Sequence, residues 1–377
     1  MNNNRRNFIK SAVGVSVGLL AGGRLSANAF APNMLPFIRK NQAPRIRFAV
    51  IGVNHGHING LANTVIRSGG ELVAFYAKET DLATTFAKAY PQARQAKTEA
   101  EILDDNSIQL VVSAAIPSER APLGIRVMEH GKDFMVDKPG ITSLSQLSSV
   151  RKVQKKTGRI YSIGYGRLES KSMLKAGELV RAGAIGKVVQ TIGFGPHQIN
   201  PKTRPDWFFD RKYFGGIICD LGTHQFDQFL YFTGSTSGKI LASQAGNVHH
   251  PQYPQFEDFG DAMVQGNNGS GYMRVDWFTP DGLKTWGDGR LTILGTDGYI
   301  EIRSTIDIAG RRGGNHLFLV DQKDTQYIDC SDVELPYGRQ LVDDVFNRTE
   351  TAMSQAHCFL ATELTLLAQK NAKSIGK

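Results

Sequence analysis

Arg45-Ile-Arg-Phe-Ala-Val-Ile-Gly52 is an apolar run with β-branched residues that stops at a glycine, and Val53-Asn-His-Gly-His57 leads from it into a helical stretch reaching Ser68. A short apolar run of this kind reads as a strand buried on both faces. The same rhythm continues outward. Glu71 to Tyr76 is a second strand, Asp81 to Ala89 a second helix and Ile108 to Ala115 a third strand. A helix over Ala121 to His130, with Gly131 at its C-terminus, precedes a fourth strand over Asp133 to Val136. Strands alternating with helices at this spacing predict a parallel, doubly wound sheet.

In such sheets ligands lie at the carboxyl ends of the strands, where the first turn offers backbone N–H groups and a helix N-terminus to phosphate. Here that turn is Gly52-Val53-Asn54-His55-Gly56-His57. It departs from G-x-G-x-x-G, since Asn54 and His57 stand at the second and third glycine positions. Asn54 is expected to be tolerated because asparagine enters left-handed backbone conformations readily. His55 and His57, with no carboxylate or cysteine beside them in sequence, read as cofactor-side residues of the turn, and no metal site is expected. The second strand of a NAD-binding sheet ends in an acid that binds the adenosine ribose. Ala77 takes that place and Lys78 follows, which favours NADP over NAD.

The chain has 377 residues, 41% hydrophobic and 21% charged, enough for two ordinary domains of a globular protein. Asn4-Arg5-Arg6-Asn7-Phe8-Ile9-Lys10, the apolar run Ser11 to Gly23 and Ala27-Asn28-Ala29 form a basic region, a short apolar region and a small-x-small site. That order predicts a twin-arginine type signal over 1–29, a linker over 30–44, export to the periplasm and no stable membrane anchor after cleavage. Removing the signal leaves 40 basic and 35 acidic residues, about +5. The basic residues are scattered without interleaved aromatics, which excludes a nucleic-acid reading. Cys219, Cys330 and Cys358 are too few and too far apart for a disulfide framework.

Farther along, Ile217 to Phe232 is predicted as one mostly apolar helix on which Asp220, His224 and Asp227 fall at i, i+4 and i+7, on one face. A polar stripe on a buried helix needs partners, and a ligand cleft supplies them. His224 is suited to take a hydroxyl proton, with Asp220 orienting its ring or binding substrate. The loop Gly195 to Phe209 is rich in hydrogen-bonding and aromatic groups, and His197, Arg204 and Trp207 are its candidates for sugar contact. Strands follow around Lys187–Phe194, Lys239–Gly246, Asp261–Gln265, Gly271–Phe278, Arg290–Gly295 and Tyr299–Arg303, in a mostly antiparallel open sheet. One helix closes the chain from Arg339 to Lys373.

Gly131-Lys-Asp-Phe-Met-Val-Asp-Lys-Pro139 resembles the Glu-Lys-Pro strand end of the glucose-fructose oxidoreductase and inositol dehydrogenase (Gfo/Idh/MocA) family, with Asp137 in place of Glu. Gly215-Gly-Ile-Ile-Cys-Asp-Leu-Gly-Thr-His-Gln-Phe-Asp227 is similar to that family's Gly-Gly-(x)3-Asp-x-Gly-x-His-x-x-Asp segment. The resemblance runs from about Arg45 to the C-terminus. It implies an α/β Rossmann domain over 45–165 and an α+β substrate and oligomerisation domain over 166–377, assembling as a homodimer or homotetramer. It also implies catalytic Lys138, Asp220 and His224. Cofactor contacts would come from Gly52, Asn54, His55, His57, Lys78, Asp137 and Lys138, with Ala115 and Arg120 from the loop where the family commonly carries Thr-Pro-x-x-x-His.

These readings predict an NAD(P)-dependent oxidoreductase acting on a secondary hydroxyl of a sugar or polyol. Export adds the expectation that the cofactor stays bound and is recycled in the site. A redox-neutral enzyme cleaving glycosides through a transient keto-sugar satisfies the same condition. A sugar-binding or sensing protein that has lost the chemistry is the alternative of another class.

Overall fold

The computed structural model describes residues 45–376; the predicted signal and linker lie outside them. Six strands form the first sheet: β1 Ile46–Ile51, β2 Gly70–Tyr76, β3 Arg94–Gln95, β4 Leu110–Ser113, β5 Asp133–Asp137 and β6 Tyr161–Gly164. All are parallel, in the order β3-β2-β1-β4-β5-β6. Reversal of the strand order between β1 and β4 opens a crevice above their carboxyl ends. Helices α1 Ile58–Arg67, α2 Thr80–Ala89, α3 Ala100–Leu103, α4 Pro117–Glu129 and α5 Leu144–Thr157 link the strands. The buried runs Phe48-Ala-Val-Ile51, Leu110-Val-Val112 and Phe134-Met-Val136 form its core, each large side chain contributing roughly 1.5–3 kcal/mol on burial. Helix α4 begins four residues earlier than its sequence suggests, because Pro117 sits at the first helical position, where a missing N–H costs nothing.

After α6 (Lys171–Arg181) the chain builds a nine-stranded sheet from β7 Val188–Pro196, β8 Gly238–Gly246, β9 Phe259–Gly266, β10 Ser270–Asp276, β11 Arg290–Gly295, β12 Tyr299–Arg303, β13 His316–Val320, β14 Thr325–Ile328 and β15 Lys373–Ile375. Its order is β14-β13-β12-β11-β7-β10-β9-β8-β15. Only the β7–β10 and β8–β15 pairs are parallel. Helix α8 (Thr223–Thr233) packs on one face of the sheet against β7 and β10, while short α7 (Arg211–Phe214) packs against α4.

Two sequence expectations are corrected here. Ile217 to Phe232 is not one regular helix: Ile218–Gly222 forms a π-helical turn that runs into α8. The wider turn rotates Asp220 relative to the residues of α8, so Asp227 points elsewhere, to Arg167 Nε at 2.8 Å and His357 Nε2 at 2.8 Å. The closing helix is also two helices, α9 Tyr337–Asn347 and α10 Gln355–Asn371. Arg348 adopts φ +60° between them. The Asp344 carboxylate gathers Thr349 Oγ1, Thr351 N and Oγ1 and Ala352 N, and Ser354 caps α10 by accepting from His357 N. These bonds give the backbone a turn that competes with helix continuation. The two helices return to the first sheet, where Tyr337 Oη meets Ser162 Oγ and Gln355 Oε1 accepts from Tyr161 N.

Candidate active site

Only one glycine of the first turn is demanded by the backbone. Gly52 has φ +80°, and a Cβ there would stand 2.5 Å from that of Ala115, which closes the other side of the crevice. Asn54 does not adopt the left-handed conformation its sequence position suggested; positive φ among non-glycine residues is confined, among the described residues, to Asn200, Asn315 and Arg348. Its side chain instead donates to Glu79 Oε1 at 2.9 Å. Gly56 is exposed with open space around it. Among the described residues, the backbone N–H groups of Asn54, Gly56 and His57 have no protein acceptor, and they lie at the N-terminus of α1. A dinucleotide pyrophosphate fits these residues: free donors, a positive helix end and no side chain in the way.

Beside this turn a pocket is lined by Gly52, Asn54, Lys78, Glu79, Ala115, Glu119 and Arg126, where an adenosine ribose would lie. Lys78 reaches it and pairs with Glu119, its Nζ lying 3.2 Å from Oε2. Arg126 is likewise held by Glu99, with Nε 2.6 Å from Oε1. Glu79, Glu99 and Glu119 went unnoticed in the sequence because the usual acid is expected only at the end of the second strand, where Ala77 stands.

Asp137 and Arg120 prove to be internal braces, a correction to their expected cofactor contact. Both are buried. Arg120 Nε donates to Ala115 O at 2.7 Å, its Nη1 to the carbonyls of Asp137, Lys138 and Pro139, and its Nη2 to Asp137 Oδ2 at 3.0 Å. One guanidinium thus ties the loop after β4 to the end of β5 and sets the direction of Lys138. The Nδ1–H groups of His55 and His57 donate to Asp137 Oδ2 and Oδ1, each at 2.9 Å. Burial raises the Asp137 carboxyl, but Arg120 and the two histidines more than offset it and hold it well below the usual range. The ground on which a metal was set aside does not hold in space: the ligand atoms of His55, His57 and Asp137 lie within 4.8 Å of one another. The same carboxylate is, however, already shared with Arg120.

Lys138, Asp220 and His224 do converge. Lys138 Nζ donates to Asp220 Oδ1 at 2.8 Å, with both residues buried. Burial pushes the Asp220 carboxyl up and Lys138 pulls it down, for a net lowering. His224 is not oriented by Asp220 as expected; its Nδ1 accepts from the backbone N–H of Gly166 at 3.0 Å. Burial, then Lys138 and His57, lower its pKa to about 4. His197 shares this neighbourhood, its pKa lowered to about 3 by burial and by Lys138. Its Nδ1–H donates to Gly195 O at 3.1 Å, and its ring packs against Trp277 and Trp286.

Arg204 stacks over Phe208 and Trp277 and donates from Nε to Ile199 O. Burial lowers its pKa while Asp220 raises it, which places it near the cleft mainly as a packing element. Trp207 is half-buried beside Phe208. Gly166 and Trp286 were missed. A backbone donor leaves no trace in side-chain identity, and Trp286 arrives from a loop 89 positions after His197 through a bond from Gln198 N to Trp286 O at 2.7 Å.

Residues 46–165 match the family profile described as "Oxidoreductase family, NAD-binding Rossmann fold", and residues 173–301 match the "GFO/IDH/MocA C-terminal domain". A crystal structure described as an oxidoreductase from Erwinia carotovora atroseptica SCRI1043 is 46% identical, covering 88% of this chain and 99% of that one, with a TM-score of 0.86. Scyllo-inositol 2-dehydrogenase (NAD(+)) of Bacillus subtilis (strain 168) is 27% identical over 267 residues, 68% of this chain and 74% of its own length. The aldose-aldose oxidoreductase of Caulobacter crescentus, solved with glycerol, shares the fold at a TM-score of 0.70, with 17% identity over 86% of this chain and 98% of that one.

Proposed function

The chain belongs to the Gfo/Idh/MocA family of NAD(P)-dependent oxidoreductases, and from that premise we propose that it oxidises a secondary hydroxyl of a sugar or polyol with NAD. The observation that carries this reading is the Lys138–Asp220 pair at the end of β5, beside a turn whose N–H donors await a pyrophosphate. The relative acting on scyllo-inositol supports a polyol as substrate.

When bound, the dinucleotide supplies a hydride acceptor. The chain supplies the rest. Gly52 lets the backbone approach, the N–H groups of Asn54, Gly56 and His57 take the phosphates, and Ala115 closes the crevice. Lys138, held by Asp220, presents N–H donors to the substrate oxygen, where developing negative charge is stabilised most in a dry site. Trp286 and Trp277 offer apolar faces to sugar C–H groups.

NAD is favoured over NADP because Glu79, Glu99 and Glu119 outnumber the two cations of the adenosine pocket, both already paired. A 2′-phosphate would bring a charge of about −1.5 to −2 against this wall. The sequence reading, which weighed the missing acid at Ala77 and the cation of Lys78, pointed the other way.

The twin-arginine pattern supports export with the cofactor already loaded and retained between turnovers. Leu294 and Tyr299, paired across β11 and β12, and Met263 on β9 are exposed on the open face of the large sheet. Apolar groups on such a face support a homodimer or homotetramer. Denaturing the purified protein and identifying the released dinucleotide by mass tests the reading. Bound NAD(H), with turnover on a polyol panel, is expected; an empty, catalytically silent protein would favour the binding-protein alternative.

A further inference from the structure

The first N–H groups of a helix have no partner within it. In the helical run that carries Asp220, the first internal bond goes from Asp220 N to Gly216 O at 2.9 Å, which leaves the N–H groups of Ile217, Ile218 and Cys219. Side chains from two distant parts of the chain take them. Glu257, in the loop before β9, accepts from Ile217 N at Oε2, 2.9 Å away. Gln369, near the end of α10, accepts at Oε1 from Ile218 N at 2.8 Å and from Cys219 N at 3.1 Å. The two acceptors are bonded to each other, Gln369 Nε2 donating to Glu257 Oε2 at 3.0 Å. Arg211 Nη1 stands 3.0 Å from the other oxygen of Glu257. Glu257, Gln369 and the three residues they hold are all buried. Gly216 makes the close approach possible, since it has φ +103° and a Cβ there would lie 2.4 Å from Gln369 Cδ.

We propose that Gln369 and Glu257 are positioning residues for the reaction: as one bonded pair they pin the π-helical turn that delivers Asp220 to Lys138. The proposal rests on the oxidoreductase reading, in which Lys138 meets the substrate oxygen. Asp220 directly follows the last N–H that Gln369 holds, and its Oδ1 accepts from Lys138 Nζ at 2.8 Å. Turns of this wide pitch are rare and concentrate at functional sites. A change of pitch would carry the N–H groups off their acceptors, and each buried donor left alone costs about 1–3 kcal/mol. The place of the Asp220 carboxylate is therefore set from α10 and from the loop before β9. Neither residue needs to touch substrate, because both act through the turn.

Two variants of the full-length protein test the pair. Gln369→Met keeps the volume of the side chain but removes the acceptor for Ile218 N and Cys219 N. Its kcat should fall on the order of 10²-fold, the effect of about 1 Å of misplacement at a reacting centre. KM and the dinucleotide dissociation constant should stay near wild type, because a loss confined to kcat marks a group that acts at the reacting centre. The exchange of Gln369→Glu together with Glu257→Gln reverses the direction of the bond between the two side chains and keeps an acceptor for every N–H. Its kcat should lie within about threefold of wild type, as expected of two coupled neighbours changed together. Gln369→Asn, which withdraws the acceptor by one methylene, carries the same expectations should Gln369→Met not fold.

Crystal structures of these variants read the geometry whether or not a substrate is known: the Lys138–Asp220 bond is expected to be broken in Gln369→Met and intact in the exchange. An intact bond or wild-type kcat in folded Gln369→Met, or an exchange as impaired as Gln369→Met, overturns the proposal. Failure of the oxidoreductase reading shows itself differently, as absent dinucleotide binding by the wild type.

Discussion

Replacing Arg120 by alanine removes the guanidinium that binds Ala115 O, the carbonyls of Asp137, Lys138 and Pro139, and the Asp137 carboxylate. Its partner Asp137 is 1% exposed, so water cannot replace what is lost. Breaking a buried ion pair from one side costs about 3–5 kcal/mol. That is a large part of a native stability of about 5–15 kcal/mol. With an unfolding entropy of about 2.1 cal/mol/K per residue, the loss corresponds to a fall in Tm of about 4–7 °C for a folded chain of this length. Scanning calorimetry of the cofactor-free protein at pH 7 measures it. Arg120→Lys, which keeps charge but loses the fork, should fall between the two. The Asp137 carboxyl is depressed in the folded state, so its contribution is complete above the unfolded value near 4 and is lost as pH falls through the lower folded value. The gap between wild type and Arg120→Ala should therefore persist through neutral pH and narrow only below about pH 4. A variant melting within about 1 °C of wild type at pH 7 would refute the claim that Arg120 braces this site.

At the adenosine pocket, Glu119→Gln frees Lys78 and should raise NADP affinity relative to NAD by roughly tenfold, from the removal of one carboxylate and its ion pair; an unchanged ratio of dissociation constants contradicts the proposed charge wall. Asp344→Ala removes the acceptor for the turn between α9 and α10. A loss of about 1–3 kcal/mol is expected in urea unfolding, from backbone donors left unpaired. A midpoint equal to wild type would show that packing alone sets the break.

The first sheet was legible because buried parallel strands are written as uninterrupted apolar runs, such as Phe48 to Ile51 and Val111 to Val112, punctuated by glycines and polar turns. The convergence of Lys138 and Asp220 was legible from motif resemblance and not from spacing, since 82 positions separate them. What escaped has a common cause. A π turn at Ile218–Gly222 has the composition of an α turn, so the wider pitch that parts Asp220 from Asp227 leaves no mark on the periodicity. Arg120 looks like a surface residue near a helix start until its carbonyl and carboxylate acceptors close around it. The Nδ1 of His224 is met by the main-chain N–H of Gly166, which almost any residue could supply. Sequence therefore located the charged groups, while their bracing depended on backbone atoms brought together by the fold.

The proposed dinucleotide lies across the Gly52–His57 turn with its pyrophosphate on the N-terminus of α1. Gly56 is exposed, with nothing within 4 Å of a side chain built there, so Gly56→Glu should fold with an unchanged melting curve. A carboxylate about 4 Å from a phosphate charge costs about 4 kcal/mol at an effective dielectric constant of about 20. NADH titration followed by fluorescence should show saturable binding to the wild type and an affinity lower by on the order of 10³-fold in the variant. Equal affinity in the two proteins would place the cofactor elsewhere and contradict the account.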